Sequence, residues 1–270
     1  MATVTYEAGL ARVKLVTNVL GAGKTGFQVS RFDVGTGRST LVRGGRNVLT
    51  TVGSAVTLFD YEFPAGGTVQ YFAAEVAGTA VGSPASMAAA AAYDPDAVWI
   101  KHTTRPYLNR VMQVVDYEPV TQEMRPGLIA VLRRPVPVGR GDVRAGRSYS
   151  LTVRTATVAE LAELDTLVGV GGVLFVHLPA GTPGLPRVPY VVVTGSAEAR
   201  AGARRGDVRR TVLSVAEAAA PAPDLIGSAI TYAGLPGEWA TYAALAADPA
   251  APTYAALAAL ALAPSEVLIP

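Results

Sequence analysis

The sequence contains no cysteine and only two histidines, His102 and His177, among its 270 residues. The absence of cysteine excludes disulfide bonds, thiol nucleophiles and cysteine-ligated zinc or iron–sulfur sites. The two histidines are isolated, and neither begins a metal-binding spacing such as H-E-x-x-H. A G-x-S-x-G nucleophile motif is also absent. We therefore predict no catalytic, cofactor-binding or metal-binding residue, and we expect that the protein is not an enzyme.

Charged residues are scarce, at 16% of the chain, and the net charge is only +2. A charge so close to balance does not indicate a nucleic-acid groove, so no nucleic-acid partner is expected. The run AALAALALAP near the end is too short for a membrane span and stops at Pro264, so we expect no membrane insertion. The N-terminus lacks the basic and apolar regions of a secretory signal, which favours a soluble protein made in the cytoplasm.

Short strands dominate the first part of the chain. ARVKLV, GFQVSRF, STLVRG, AVTLFDYEF and TVQYFAAEV are rich in β-branched and aromatic residues and are separated by glycine-rich turns. Five such runs in under 90 residues predict an antiparallel β-sandwich of the fibronectin or immunoglobulin kind over residues 1–90. Tyr71, in a late strand, is interpreted as a core residue, with a corner tyrosine as the alternative.

The stretch NVLGAGKTGF, residues 18–27, differs by one letter from the phosphate-binding pattern G-x-x-x-x-G-K-[ST]. That loop requires a helix directly after it, whereas Phe27, Val29 and Phe32 alternate with polar residues and predict a strand. Asp60 ends an apolar run like a magnesium-binding strand, but no helical crossover separates the two runs, as parallel pairing would require. We therefore interpret Lys24 as a solvated residue at a hairpin tip.

A second domain is predicted over residues 91–223, mostly β with one helix at about 157–168. Thr157 and Glu160 form a capping box at its start, and Gly169 is suited to end it. The apolar face predicted to pack on a sheet consists of Val158, Leu161, Leu164 and Val168, with Leu167 beside them. The loop RAGARRGDVRR then provides Arg204, Arg205, Arg209 and Arg210, either as a solvated hairpin or as a contact with an acidic neighbouring subunit.

The final segment, residues 224–270, contains TYAALAA twice, at residues 241–247 and 253–259. Each copy is long enough for only a short helix, which is not stable alone in water and must dock on another surface. Trp239, Tyr242 and Tyr254 are the aromatic residues of this segment that we predict to lie at an interface.

Taken together, VRGG at residues 42–45, TLFDYEFPAGGTVQYFAAEV, the stretch from RRPVPVGRGDVR to VLFVHLP, and the paired TYAALAA segments resemble minor tail and distal tail proteins of phages that infect actinobacteria. The resemblance implies a barrel-like second domain and a structural virion component at the tail tip, made in the host cytoplasm. It also implies a homo-oligomeric ring, with a hexamer favoured, that contacts the tail tube, the tail hub and other tail-tip proteins.

Ring, collar and peripheral decoration all stay open as roles, because the sandwich precedes the barrel here whereas common distal tail proteins begin with the ring-forming barrel. Low charge, small apolar residues and edge-prone strands are also typical of a subunit buried among copies of itself. One alternative is a carbohydrate-binding adsorption module, although Tyr61 and Phe63 are the few aromatics in its loops. A cell-wall-degrading enzyme is a further alternative, although no carboxylate pair marks it.

Overall fold

The computed structural model of the chain describes residues 2–87, 91–117, 119–123, 127–129, 138–140, 144–182, 189–201 and 206–223. These residues divide into two compact units. The first comprises the described residues up to Asp94 together with 104–107 and 222–223, and the second comprises those of 95–103 and 108–221. The predicted domain bounds, at residues 1–90, 91–223 and 224–270, stay a prediction.

The first unit is built from antiparallel strands. They are β1 (Thr3–Glu7), β2 (Arg12–Val16), β3 (Gly26–Asp33), β4 (Arg38–Leu41), β5 (Val48–Leu49), β6 (Thr57–Asp60), β7 (Thr68–Ala77), β8 (Ala80–Val81), β9 (Ala85–Ser86) and β10 (Ala91–Ala92). One sheet has the order β1-β2-β6, and the other has the order β10-β7-β3-β4 with β5, β8 and β9 attached. A 3₁₀ turn at Ala8–Leu10 joins the first two strands.

Both sheets contribute to a single apolar core. Val13, Leu15 and Leu58 come from the first sheet, and Val29 and Tyr71 come from the second. Lettered in chain order, the strands form an A-B-E sheet facing a G-F-C-C′ sheet, which is the arrangement of a β-sandwich. In the first half of β7, Val69 and Tyr71 alternate with less buried residues and lie in this core. In the second half the buried residues are Ala74 and Val76, so the alternation changes phase between Tyr71 and Ala74.

The second unit carries the remaining elements. They are β11 (Trp99–His102), β12 (Arg110–Val111), β13 (Gln113–Asp116), β14 (Val120–Gln122), β15 (Gly127–Ile129), β16 (Val138–Arg140), β17 (Arg147–Thr155), α1 (Val158–Gly169), β18 (Val173–His177), β19 (Tyr190–Arg200) and β20 (Arg209–Glu217). Its main sheet has the order β12-β11-β18-β19-β20-β17-β13, with β14 also paired to β17, and β15 pairs separately with β16. A second 3₁₀ turn spans Pro106–Leu108.

The main sheet of the second unit closes on itself. β12 and β13 are neighbours in the sequence, yet β12 pairs with β11 at one end of the sheet and β13 pairs with β17 at the other. Met112, between them, is buried. The bent segment 110–116 therefore joins both ends into an antiparallel barrel, which removes most of the open strand edges. The prediction of a mainly β chain with a single helix is confirmed.

Helix α1 follows β17 directly and begins as predicted. Thr157 Oγ1 accepts the backbone N–H of Glu160 at 3.2 Å, and Glu160 Oε2 accepts the backbone N–H of Ala156 at 2.7 Å. The predicted apolar stripe is wrong at its start, because Val158 is 56% exposed and the buried residues are Leu164 and Leu167.

The predicted stop of α1 is also displaced. Gly169 is still helical, and the chain leaves the helix at Gly171, whose φ of +71° is the left-handed conformation that glycine adopts without strain. The Gly171 backbone N–H donates to the Val168 carbonyl at 3.0 Å, which satisfies one of the last carbonyls of the helix.

Replacing the cap residue tests this account of α1. We expect Thr157→Ala to lower the free energy of unfolding by about 1 kcal/mol, because the Glu160 N–H loses its acceptor at the helix start. Thr157→Ser keeps a hydroxyl and should stay close to wild type. Urea unfolding of the two variants measures the difference, and equal losses in both would show that the hydroxyl does not cap the helix.

Candidate interaction surface

The described residues of the basic loop, 200–201 and 206–210, lie at the adjoining ends of β19 and β20, which pair with each other. β19 pairs with β18 only from Tyr190 to Val192, whereas its pairing with β20 continues to Arg200 opposite Arg209. Within the described residues, no strand pairs with the outer edge of β19 beyond Val192. β19 is therefore an edge strand over its second half.

The direction of the backbone groups along this edge follows from the pairing. Ala201 donates its backbone N–H to the Val208 carbonyl at 3.1 Å, so this pair is hydrogen-bonded towards β20. Hydrogen-bonded and non-hydrogen-bonded pairs alternate along antiparallel strands. Ala197 lies four positions before Ala201, so its backbone N–H and C=O groups also point towards β20. The residues whose N–H and C=O groups point away from β20 are Ser196, Glu198 and Arg200.

The second half of β19 is open to solvent on both faces. All residues from Thr194 to Arg200 are exposed, whereas Thr211 and Leu213 on the adjoining β20 are buried. The side chains at 194–199 are small or short apart from Glu198, so they leave the backbone accessible. Such an edge is a template for another strand, and proteins usually cover or block it.

A second open edge lies at β14. This strand pairs with the start of β17, Val120 lying opposite Tyr149, and within the described residues no strand pairs with its other side. Val120 is 43% exposed, and the exposed carboxylates of Asp116 and Glu123 lie close by in the sequence. The β14 edge is therefore partly apolar and flanked by acidic residues.

The two described arginines among the predicted interface residues have different roles. Arg209 pairs with Glu198 at 3.1 Å and donates to the carbonyls of Gly206 and Val208, so its guanidinium holds the hairpin end together. Arg210 is exposed on the outer face of the sheet, opposite Arg154 on β17. The other predicted interface residues, Arg204, Arg205, Trp239, Tyr242 and Tyr254, lie outside the described residues.

The phosphate-loop look-alike takes a different structure. The residues after Thr25 form strand β3, as predicted, and the Glu75 carboxylate accepts the backbone N–H of Gly21 at 2.9 Å. In a phosphate-binding loop such backbone N–H groups donate to the phosphate. Here the Gly21 N–H instead donates to an acidic side chain of the same protein. Lys24 is half-buried on a connection between two sheets, so its predicted place at a hairpin tip is wrong.

Asp60 is the centre of a buried polar cluster in the first unit. Its carboxylate accepts from Arg31 Nη1 at 2.7 Å, from the Tyr71 hydroxyl at 2.9 Å and from the backbone N–H of Glu62. Tyr71 is 1% exposed, so it is a core residue that also carries a hydrogen bond. Asp60 therefore has a structural role, and the hydrogen bond of Tyr71 goes to a side chain instead of the backbone acceptor of a tyrosine corner.

A second buried polar pair, which the sequence did not reveal, lies in the barrel. Lys101 Nζ is 2.7 Å from Nδ1 of His177, and both side chains are almost fully buried. His177 is thus a packed strand residue, as predicted. His102, the other histidine, has Nε2 at 2.8 Å from the Gly171 carbonyl and links β11 to the end of the helix. Both histidines are engaged in contacts between elements of the second unit.

The aromatic residues considered for sugar stacking are only partly available. Phe63 is fully buried and packs edge-on against Tyr6 and Tyr93, so it cannot stack on a ligand. Tyr61 is half-buried, and its hydroxyl accepts from Arg12 Nη1 at 3.0 Å. The Arg12 guanidinium also lies 4.1 Å from the centre of the Phe59 ring and covers it.

Within the described residues, no group of three or more histidine and carboxylate side chains is placed to hold a metal ion. The described part of the chain also holds no helix with the length and hydrophobicity that a membrane crossing needs.

The buried tyrosines predict a loss of stability at high pH. Burial raises the pKa of Tyr149 well above 10, with the nearby Glu217 carboxylate adding to the shift, and burial and the Asp60 carboxylate raise the pKa of Tyr71 in the same direction. The unfolded chain releases these protons near pH 10 while the folded chain keeps them. The contribution of these two tyrosines to the free energy of unfolding should therefore be constant below about pH 9, and it should be lost as the pH rises through 10 and beyond.

Tyr149→Phe isolates one part of this effect. The Tyr149 hydroxyl is buried with no hydrogen-bond partner in the described residues, so removing it should change the stability at pH 7 by less than about 0.5 kcal/mol or raise it. The loss between pH 9 and 11, followed by urea unfolding, should become shallower than in wild type. An unchanged alkaline slope would show that Tyr149 does not contribute.

No family model matches the chain, and no curated protein matches it. The case for any function therefore rests on these residues and their geometry.

Proposed function

We propose that this protein is a non-enzymatic structural component of a phage tail tip, a distal or minor tail protein that assembles with copies of itself. Its strand edges and apolar patches form the contacts between copies, and a ring of six that connects the tail tube to the tip is the favoured assembly. The phage role rests on the resemblance of VRGG, the helix-bearing β domain and the TYAALAA segments. The self-assembly rests on the described residues.

The open edge of β19 is the observation that supports the proposed self-assembly. Seven exposed residues, from Thr194 to Arg200, extend beyond the last pairing with β18. An exposed edge of this length, with no proline between Thr194 and Arg200, invites a neighbouring strand. Main-chain hydrogen bonds between the two strands would supply the affinity, and the side chains at alternate positions would supply the specificity.

The β14 edge is the complementary surface on the next copy. The end of the β19 hairpin is basic, with Arg210 exposed, whereas Asp116 and Glu123 flank β14. Opposite charges of this kind favour the encounter and set the register between two edges. Because β19 and β14 are different surfaces, their contact is head-to-tail, and such contacts close into rings when the rotation between copies permits. Two copies joined through β19 alone would instead form a two-fold dimer.

A cross-linking experiment tests this contact. The chain has no cysteine, so Ala197→Cys with Thr121→Cys introduces the only two thiols. Both positions are exposed, and within one copy they lie three strands and four residues apart, roughly 19 Å along the sheet. A bis-maleimide that spans only about half of this distance cannot link the two thiols of one copy. It should therefore link neighbouring copies and give a ladder of cross-linked oligomers that ends at the number of copies in the ring.

The single-cysteine chains are the matched controls for this ladder. Each should give at most a dimer, because one thiol per copy cannot propagate a chain of links. A ladder in the double variant, with little dimer from either single-cysteine chain, requires both edges in one interface. Monomer alone in the double variant would exclude the β19–β14 contact, and a dimer from Ala197→Cys alone at high yield would indicate the two-fold alternative.

The phage role has its own test. Purified virions of a phage whose genome encodes this chain should contain it, and gold-labelled antibody should mark one end of the tail. Virions without the chain would contradict the role at the tail tip, whatever the purified protein assembles into.

A further inference from the structure

The VRGG motif at residues 42–45 has a specific requirement at each position. Val42 is buried in the sandwich core, and Gly44 adopts a φ of +73°, which favours glycine. A Cβ on Gly45 would lie 2.6 Å from the Val29 carbonyl oxygen, so only glycine fits there. The loop therefore approaches β3 closely and is held there, since the Gly45 N–H donates to Val42 at 2.7 Å and the Val42 N–H donates to Val29 at 3.1 Å.

Arg43 connects this loop to residues that lie far away in the sequence. Its Nε and Nη2 donate to the two carboxylate oxygens of Glu62, and both side chains are largely buried. The bidentate contact fixes the guanidinium plane and leaves Nη1 to donate to the Ala222 carbonyl at 2.9 Å. The Gly44 backbone N–H donates to the Pro223 carbonyl, also at 2.9 Å. One loop therefore holds two consecutive carbonyl groups, those of Ala222 and Pro223. Ala222 lies 179 positions after Arg43 in the sequence.

We infer that the VRGG loop is a docking site for residues 222–223, and that it fixes the point on the first unit from which residues 224–270 continue. The occupant is part of the same chain, and it is recognised through its carbonyl oxygens by Arg43 and by the Gly44 amide. Glu62 is the positioning residue, because its contact with Arg43 orients the guanidinium that binds Ala222. The consequence for assembly rests on the proposed function, in which residues 224–270 contact an adjacent subunit.

Arg43→Lys and Glu62→Gln form the matched pair of variants for testing this docking. A lysine ammonium keeps the charge opposite Glu62, but it cannot reproduce the planar fork that reaches Glu62 and Ala222 together. Glu62→Gln keeps one of the two acceptors of Arg43 and loses the other, so it weakens the contact that orients Arg43 while the guanidinium can still donate to Ala222. Amide hydrogen exchange in the full chain, followed by NMR at a concentration where the protein is monomeric, reports on Gly44 directly.

In Arg43→Lys, the Gly44 amide should exchange roughly tenfold faster or more, while the Val42 and Gly45 amides stay protected because their acceptors lie within the first unit. Glu62→Gln should change Gly44 exchange much less. Unchanged protection of Gly44 in Arg43→Lys would overturn the role of Arg43 in docking.

A spin label keeps the docking testable even if Arg43→Lys opens the whole loop. Ala222 is exposed and only its carbonyl is used, so Ala222→Cys accepts a label in this cysteine-free chain. The label should broaden the Gly44 signal in the otherwise wild-type protein, and an unbroadened signal would overturn the docking. Both measurements are made on the monomer, so the docking and the proposed assembly can fail independently.

Discussion

Ser196→Pro should weaken the self-assembly of the protein strongly while the barrel stays folded. The Ser196 N–H points away from β20, so proline removes a donor that only an incoming strand would use, and its ring obstructs that strand. Losing this hydrogen bond and the contacts beside it should cost about 3 kcal/mol of association, which raises the dissociation constant roughly 100-fold. Sedimentation velocity over a concentration series measures the change.

Two neighbouring substitutions control for the effect of proline itself. Ser196→Ala removes the hydroxyl but keeps the N–H, and it should assemble like wild type. Ala197→Pro removes an N–H that faces β20, so it should lower the stability of the hairpin in a urea unfolding experiment. If Ser196→Pro assembles as tightly as Ser196→Ala, the outer edge of β19 is not an interface.

Asp60→Ala should destabilise the first unit more than any other substitution of a polar residue that we consider. The change leaves the Arg31 guanidinium without its buried carboxylate partner at 2.7 Å and removes the acceptor of the Tyr71 hydroxyl. Removing one partner of a buried ion pair costs about 3–5 kcal/mol, because the remaining charge is still desolvated. Chemical unfolding followed by tyrosine fluorescence measures the loss.

Two comparisons show whether burial causes this cost. Tyr71→Phe removes a single donor to Asp60 and should cost about 1–3 kcal/mol. Glu163→Ala breaks the pair between Glu163 and Arg110, whose side chains are 50% and 36% exposed, and should cost less than about 1 kcal/mol. Equal losses for Asp60→Ala and Glu163→Ala would contradict a buried network around Asp60.

Local features of the fold were predictable because the signal lies in neighbouring residues. The alternation of Phe27 and Val29 with polar residues identified β3 and excluded a phosphate loop, and Thr157 with Glu160 identified the start of α1. In both cases the structure is decided by side chains within a few positions of each other, which a sequence displays directly.

Long-range features were not predictable from the same patterns. The closure of the barrel depends on a bend at Met112 that sends one segment to two different strands, and strand partners are not encoded by spacing. Lys101 belongs to a type of residue that is almost never buried without a partner, so only its position beside His177 explains it. The docking of Ala222 on Arg43 likewise joins residues that are far apart in the sequence.

The candidate interface was predictable in part. The charge of the loop from Arg200 to Arg210 marked the hairpin end, but the sequence could not show that Arg209 is committed to Glu198 while Arg210 is exposed. Nor could it show that β19 continues beyond β18, because the length of the neighbouring strand decides where an edge becomes open.

Electron microscopy of the purified protein, with its mass measured by light scattering, shows whether the chain assembles into rings. We predict closed rings with a mass of several copies and rotational symmetry, six-fold being favoured, that dissociate on introduction of Ser196→Pro. A protein that stays monomeric at every concentration and binds no tail component would contradict the proposal that it is a self-assembling subunit of a phage tail tip.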